Sequence, residues 1–377
     1  MLKQVKQITL SSVLIGLSAI VGLGVSLEIT AAPNIRLADT LQPTSVDFDA
    51  LADSPALFPI PSQGKIGFID ATGKIAIPPQ FESVKSFVRL PNGLRLAAAQ
   101  LGGKWGYIDT SGKFVIKPQF AGAGDFSEGL AIVALNYKVG YIDATGKAIV
   151  PIQFDPMFFG FSENFSDGLA AVQVGGKVGY IDRQGKIAIQ PQFQMAGSFS
   201  EGLAWVQVGK KIGYIDKTGK FAIPAKFDLV DVFYSGTFSE GLAWVVVNHK
   251  TGYIDRTGKF AIQPQFRPIQ TSNFTEGLAW ALKEDERDTN QRGYIDKTGK
   301  FVILGDYGLL GEFHEGLAPV FLSGRGYYID RTGKIIISPP KLSHLGSFTH
   351  GLAWVSGRDK TGYINKTGQF VWTIPHR

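Results

Sequence analysis

The sequence predicts an all-β fold, a tandem array of about nine three-stranded antiparallel β-meander units of roughly 35 residues each. Three observations carry this. A Gly-aromatic-Ile-Asp phrase recurs nine times, its aromatic at Phe68, Tyr107, Tyr141, Tyr180, Tyr214, Tyr253, Tyr294, Tyr328 and Tyr363, at successive spacings of 39, 34, 39, 34, 39, 41, 34 and 35 residues. Gly reaches 46 of 377 residues while charged residues are 19%, a composition of short strands and tight turns rather than long helices. Within each copy, three apolar runs are separated by Gly-containing turns, the pattern of a meander. Units this short cannot each bury a core and must stack on their neighbours, which gives one long structural body, an open curved array or a propeller-like ring.

The chain opens on a different register. Lys3 and Lys6 precede an apolar stretch from Ile8 to Leu27, with Ala31 and Ala32 beyond it. A positive start, an apolar core and small residues describe a secretory signal peptide, and the stretch is also long enough for an N-terminal membrane anchor. Residues 1–32 are therefore read as signal or anchor, and both readings place the repeats outside the cytoplasm: periplasmic, cell-surface or secreted. Residues 33–56, with Pro, Asp, Thr and Ser and no periodicity, read as a linker, and 57–377 as the repeat array.

One unit shows the anatomy. Leu203 to Val208 is a first run, Ile212 to Asp216 a second and Phe221 to Pro224 a third. The turn between the second and third has a mechanism: its Asp accepts backbone N–H bonds and its Gly takes the positive-φ position of a type I turn with a bulge. Asp109, Asp143, Asp182, Asp216 and Asp255, with Gly112, Gly146, Gly185, Gly219 and Gly258, are structural turn residues on this reading. Both faces of the strands are apolar, Leu203 and Trp205 on one side, Ala204, Val206 and Val208 on the other, as expected of a sheet covered on both sides. Connections between units alternate between short and long, so a 73-residue double unit (107 to 180 to 253) is the duplication product, with apolar long loops at 156–161 and 229–234. Nine whole units fit between Leu57 and Ile374, leaving no strand over at either end to be exchanged for closure.

Gly103-Lys104-Trp105-Gly106-Tyr107-Ile108-Asp109, then Ser111-Gly112-Lys113-Phe114 to Phe120, then Phe126-Ser127-Glu128-Gly129-Leu130-Ala131 resembles the WG-repeat (KWG-repeat) family of bacterial proteins. The resemblance covers about 57–377, three sub-motifs recurring in order at one period. It departs at the Trp that names the family, which stands only at Trp105 and is Val139, Val178, Ile212, Thr251 or Arg292 elsewhere. The resemblance implies a β-rich array with a binding or assembly role and no assigned chemistry.

Candidates for function are few. Cysteine is absent, which removes disulfides, thiolate metal sites and a thiol nucleophile. The net charge of +6 is spread over turn lysines, so no nucleic-acid stripe forms. The acidic slot before Gly-Leu-Ala (Glu128, Asp167, Glu201, Glu240, Glu276, Glu315) repeats in equivalent surroundings, whereas catalytic carboxylate pairs need environments that separate their pKa values. It becomes His350 in the last copy and reads as turn and cap. His249, His314, His344, His350 and His376 lack metal-ligand spacing. No catalytic residue, metal or cofactor is assigned, and the chain is not read as an enzyme. The slot after Gly-Leu-Ala is the strongest functional hint: Trp205, Trp244, Trp280 and Trp354, but Ile132, Ala171 and Pro319 elsewhere. Exposed, these tryptophans would stack on sugars or anchor a protein; buried, they fill gaps between units. The expected function is a non-catalytic, exported scaffold for protein interaction or assembly, with a cell-wall or glycan-binding array as the alternative. Its partner is then a protein or a cell-envelope glycan, with no nucleic acid, and a membrane only through an uncleaved N-terminus.

Overall fold

A computed structural model describes residues 56–157, 164–229, 236–268, 270–284, 290–339 and 342–374. The expected signal or anchor (1–32), the linker up to residue 55, the loop stretches 158–161 and 230–234, and His376 lie outside the described residues. Nine antiparallel sheets follow one another along the chain, here blades 1 to 9: 58–81, 83–120, 122–154, 169–193, 203–228, 242–266, 279–304, 307–337 and 342–373. Each holds the three expected strands in sequence order. The segment entering the sheet is the part that sequence did not announce. It adds a fourth strand in blades 3, 8 and 9 and two short strands in blade 2, and in blades 5 and 7 it is reduced to single bridges such as Ala196↔Val206 and Thr271↔Ala281.

The second and third strands explain the Gly that stands before the aromatic in eight of the nine blades. In blade 4 the register runs Val178↔Phe193, Tyr180↔Ile189 and Ile181↔Ile187, so the third strand carries extra residues that bulge over Gly179. A Cβ on Gly179 would lie 2.7 Å from Pro191 N, and one on Gly213 2.7 Å from Ala225 N. Pro191 rides in that bulge, where its missing N–H leaves no ladder bond unmade. Blade 8 is the exception that shows the cause. Its slot holds Tyr327, and its third strand is only Ile335–Ile337, with no bulged continuation to collide with a side chain.

Packing is between sheets. Leu203 and Tyr214 of blade 5, with half-buried Trp205, pack on Phe238, Ala243 and Val245 of blade 6, while Ala204, Val206 and Ile215 pack backwards on Tyr180 and Phe199. Burying each such aliphatic or aromatic side chain contributes about 1.5–3 kcal/mol, so the inter-blade layers are where the fold gains its stability. From blade 1 to blade 9 each layer carries an aromatic pair from the phrase's aromatic to the entering segment of the next blade, edge-to-face as in Phe68–Phe87 (4.9 Å) and Tyr180–Phe199 (4.8 Å) or tilted as in Tyr107–Phe126 (4.8 Å). The tyrosine hydroxyl then donates to a carbonyl of that segment: Tyr107 to Gly124 (2.8 Å), Tyr214 to Gly236 (2.7 Å), Tyr328 to Gly346 (2.7 Å).

An open row of nine sheets would have eight such layers; this chain has nine. Phe58, Ile60 and Ile69 of blade 1 form a buried cluster with Leu352 and Tyr363 of blade 9. Phe58 meets Tyr363 edge-on at 5.4 Å, the Tyr363 hydroxyl donates to Pro59 carbonyl oxygen at 3.0 Å, and the turn at Gly73 sits against Val371. The array is a closed ring. It closes by an aromatic pair and a tyrosine hydroxyl bond of the kind found between other blades, and exchanges no strand.

Candidate functional site

The antiparallel order places two kinds of turn at one end of blades 3 to 9: the turn that leads into the first strand, acidic in all of these but blade 9, and the Asp turn after the second, which holds Asn365 in blade 9. This end of the ring holds most of the repeated polar residues. In the Asp turn of blade 5, Asp216 Oδ1 accepts from Thr218 N (2.8 Å), Thr218 Oγ1 (2.7 Å) and Lys220 N (3.1 Å), and Gly219 has φ +82°. Asp109, Asp143, Asp182 and Asp255 accept the same backbone N–H groups, and Gly112, Gly146, Gly185 and Gly258 take φ of +79° to +87°. These glycines also abut the preceding blade, Gly112 on Ile77 and Gly258 on Ile223. The hydrogen bond from Thr218 holds the Asp216 carboxyl below its ordinary range, against a smaller desolvation effect. Asn365 accepts the same bonds in blade 9, so the slot requires an acceptor oxygen rather than a charge.

The acidic slot forms a second device. Glu128, Asp167, Glu201, Glu240, Glu276 and Glu315 occupy left-handed φ of +50° to +54°, each followed by a positive-φ Gly, so the two residues make the tight turn of a hairpin. Each carboxylate reaches the next blade and accepts from its turn Gly N–H: Glu128 from Gly168 (3.1 Å), Asp167 from Gly202 (2.7 Å), Glu201 from Gly241 (3.0 Å), Glu240 from Gly277 (3.0 Å), Glu276 from Gly316 (3.0 Å) and Glu315 from Gly351 (3.0 Å). Basic residues one place after the turn Asp close over several of them. Arg183 donates to Glu128 carbonyl oxygen at 2.6 Å, while Lys297 and Lys366 pair with Glu240 and Glu315 at 3.1 Å each. Desolvation raises the Glu240 and Glu315 carboxyls, and the lysines and turn amides outweigh it, so both are held below the usual range. These six residues thus form a chain of inter-blade staples.

The tryptophan slot faces the inter-blade layers. Trp244 is 8% exposed, and Trp205, Trp280 and Trp354 are half-buried against the layers that follow their own blades. The indole of Trp205 lies over Gly197, where a Cβ would collide with its Nε1, and Trp354 stacks on Trp372 at 6.3 Å. Slot size therefore varies with the entering segment it packs on: Gly124 stands over Ile132 and Gly311 over Pro319. None of the four is an open aromatic face of the sort that sugar stacking needs.

Sequence reasoning passed over the entering segments, where the residue before the packed Phe is Asp125, Asn273 or Glu312. Asp125 Oδ1 and Asn273 Oδ1 are buried without a hydrogen-bond partner. Desolvation raises the Asp125 carboxyl, partly offset by Lys85, and raises Glu312, partly offset by His314. The only signal was a polar residue between Gly or Ser and Phe, which is also what a loop looks like. Beside the first acidic turn, Arg89, Leu90 and Pro91 of blade 2 face Glu128 and Gly129 of blade 3 across a shallow cleft of about 430 Å³.

Comparison with known proteins fits this architecture. A crystal structure of a eukaryotic initiation factor superposes with a TM-score of 0.58 at 14% identity, over 85% of this chain and 96% of that one, a likeness of fold. BamB from Moraxella catarrhalis (TM-score 0.44, 12% identity, 84% of this chain and 95% of that one) and the dihydro-heme d1 dehydrogenase NirN (0.44, 12%, 90% and 76%) are more distant. No curated protein matches the chain in sequence. The family model for the WG containing repeat matches eight times, at 66–105, 105–138, 140–177, 179–211, 212–250, 252–286, 293–325 and 328–360. Eight matches and nine blades agree once the phase is noted. Each match begins in the second strand of one blade and ends between the close of the first strand and the start of the second strand of the next, so the last two strands of blade 9 lie beyond the eighth match. This chain belongs to the WG-containing repeat family.

Proposed function

We propose that this ring is a non-catalytic, exported scaffold that binds protein partners. One observation carries the reading: recurrent polar slots are engaged within turns or between blades, whereas large apolar side chains remain exposed on edge strands. Ile75, Phe221, Val302, Leu304, Ile335 and Ile336, 43–55% exposed, all lie on third strands, the edge of each sheet. Exposed apolar groups along an edge suit a protein partner, which can bury them and pair with the unpaired backbone beside them. Blade 7 carries the most exposed of these, Leu304 at 55%, on a third strand, Phe301–Leu304, that has no proline to block such pairing. Against a glycan partner stands the placement of Trp205, Trp244, Trp280 and Trp354 in the layers between blades. Export rests on the N-terminal sequence.

A photo-crosslinking residue at position 304, introduced into the full chain and expressed in its native envelope, tests this. A discrete protein adduct that Val302→Lys abolishes is the expected result. Sedimentation of the unmodified chain with isolated cell-wall polysaccharide in high salt, without any protein adduct, would replace the reading with glycan binding.

A further inference from the structure

The staple chain has one unfilled place. In blades 4 to 9, each turn glycine receives the carboxylate of the blade before it, at 2.7–3.1 Å. Blade 3 has the same turn, with Glu128 at φ +50° and Gly129 at +82°, the conformation of Glu201 and Gly202 at +52° and +81°. Blade 2 sends no acid to it. Where the Glu-Gly turn would be, blade 2 has Leu90-Pro91-Asn92-Gly93-Leu94, closed on itself by Leu90 N to Leu94 carbonyl oxygen (2.7 Å) and by Leu94 N to Asn92 Oδ1 (3.2 Å). No carboxylate reaches Gly129 among the described residues, and Glu128 cannot serve its own turn because its carboxylate is held by Gly168.

The cation changes with the acid. The residue after the turn Asp is Arg183, Lys297 or Lys366 where it closes over a staple, but Ala144 in blade 3. Positive charge comes instead from the exposed Arg89, across the cleft from Gly129. Leu90 and Pro91 give that cleft an apolar wall. The turn thus offers consecutive backbone amides in the arrangement by which Glu276 and Gly277 both donate to Glu240. It sits beside the exposed Arg89 guanidinium, which has no ion-pair partner among the described residues, and an apolar surface, and the other blades show which group this backbone shape holds.

We propose that Gly129 and Arg89 form a docking point for the carboxylate of an acidic side chain carried by a peptide segment of a partner protein. Backbone amide pairs and guanidinium groups are both established carboxylate receptors, and the apolar wall takes the residues flanking the acid. The peptide occupant rests on the scaffold reading above; the carboxylate chemistry rests on the repeated staples alone.

The test uses the full chain, ¹⁵N-labelled, titrated with the blocked pentapeptide Phe-Ser-Glu-Gly-Leu, the sequence the chain itself carries at 126–130, 199–203 and 238–242. The Gly129 amide resonance should shift and saturate while those of Gly202 and Gly241, already occupied, stay in place. The Gln-containing analogue should bind at least about tenfold more weakly, the loss expected when charge-assisted hydrogen bonds become neutral ones. Arg89→Gln should weaken the Glu peptide by a similar factor with Gly202 and Gly241 unmoved, which shows that the fold persists. A Gly129 amide indifferent to the Glu peptide, or equally responsive to both peptides, overturns the site. Acetate matching the peptide at equal concentration overturns the peptide occupant. A protein adduct at position 304 with no shift at Gly129 means that this inference fails alone, and a shift without an adduct means that the edge-strand reading does.

Discussion

The interface between blades 5 and 6 and the one between blades 9 and 1 do the same job with different means. In the first, Leu203, Ile212, Tyr214, Ile223 and Phe227 meet Phe238, Ala243, Val245 and Ile254, all buried, while Glu201 holds Gly241 and Ser200 Oγ donates to Phe238 carbonyl oxygen at 2.7 Å. In the second, the buried set is Phe58, Ile60, Ile69, Leu352 and Tyr363, with half-buried Trp354, Val371 and Trp372 at its margin. His350 stands in the staple slot, and Pro59 and Pro61 lie within the strand that receives blade 9. Tyr363 is 7% exposed where Tyr214 is 1%. The aromatic pair and the tyrosine hydroxyl bond suffice to close the ring, and the staples reinforce only its regular arc. In a structure whose units touch only their neighbours, the interface with least burial opens first.

The largest expected effect comes from the glycine under the bulge. Gly213→Ala places a methyl 2.7 Å from Ala225 N in blade 5, inside the regular arc. It should destabilise by about 3 kcal/mol, the upper range for forcing an extra carbon into a packed site. The same change at Gly362 collides with Trp372, but the strand Phe370–Thr373 has no fully buried residue to hold it in place and can yield, so its cost should stay below about 1 kcal/mol. Denaturant midpoints of the two variants read the difference directly, and equal losses would mean that the closing blade is as constrained as the fifth.

Next in size is the hydroxyl that crosses each layer. Tyr214→Phe strands the buried Gly236 carbonyl and should cost about 1–2 kcal/mol. Tyr363→Phe, at the more open seam, should cost about half of that, and its effect should appear as faster hydrogen exchange in 58–62 and 361–373 before any change elsewhere. Exchange that rises evenly around the ring would show instead that the nine layers open as one.

How much of this was legible beforehand follows from which constraints are local. The meander, the Asp turn and the two apolar faces each arise within a few residues, so Asp216 to Gly219 and the alternation of Leu203 and Ala204 stood out in the sequence. Closure was not legible, because it depends on Phe58 meeting Tyr363 across the length of the array, and no local pattern records that meeting. The acidic slot read as a turn, but its reach to the next blade is a contact between residues 35 to 40 apart and invisible to spacing. The tryptophan slot stayed open between two readings for a related reason: Trp205 is accommodated by Gly197 in an irregular segment, a contact that the slot's own residues do not announce.

A smaller effect separates the entering segments from the staples. Desolvation raises the Asp125 carboxyl, so its contribution to stability is present at acid pH, below the unfolded value, and is lost as pH rises through the folded one. At neutral pH Asp125→Asn should therefore stabilise, by less than about 1 kcal/mol because the group is only half-buried and screened. A fall in the neutral-pH denaturation midpoint would show that Lys85 outweighs the burial.

Smallest, and opposite in sign, is the staple itself. Although burial raises it, the Lys297 ammonium and the amides of Gly277 and Glu276 hold the Glu240 carboxyl below its unfolded value. Its contribution is thus complete above that unfolded value, near 4.5, and is lost as pH falls through the lower folded one. Glu240→Gln keeps an acceptor oxygen and should cost only about 0.5 kcal/mol at neutral pH, the scale of a largely solvated ion pair. That cost should shrink as pH falls through the lowered folded value, where the wild-type carboxyl loses the same charge. Repeating the pH series with His350→Glu separates the arc from the seam. Blade 1 has no acidic-turn glycine among its described residues to receive the new carboxylate, so no acid-sensitive stabilisation should appear. If one does, the ring can be stapled at its seam, and what distinguishes the seam is the choice of residue at position 350 rather than the geometry around it.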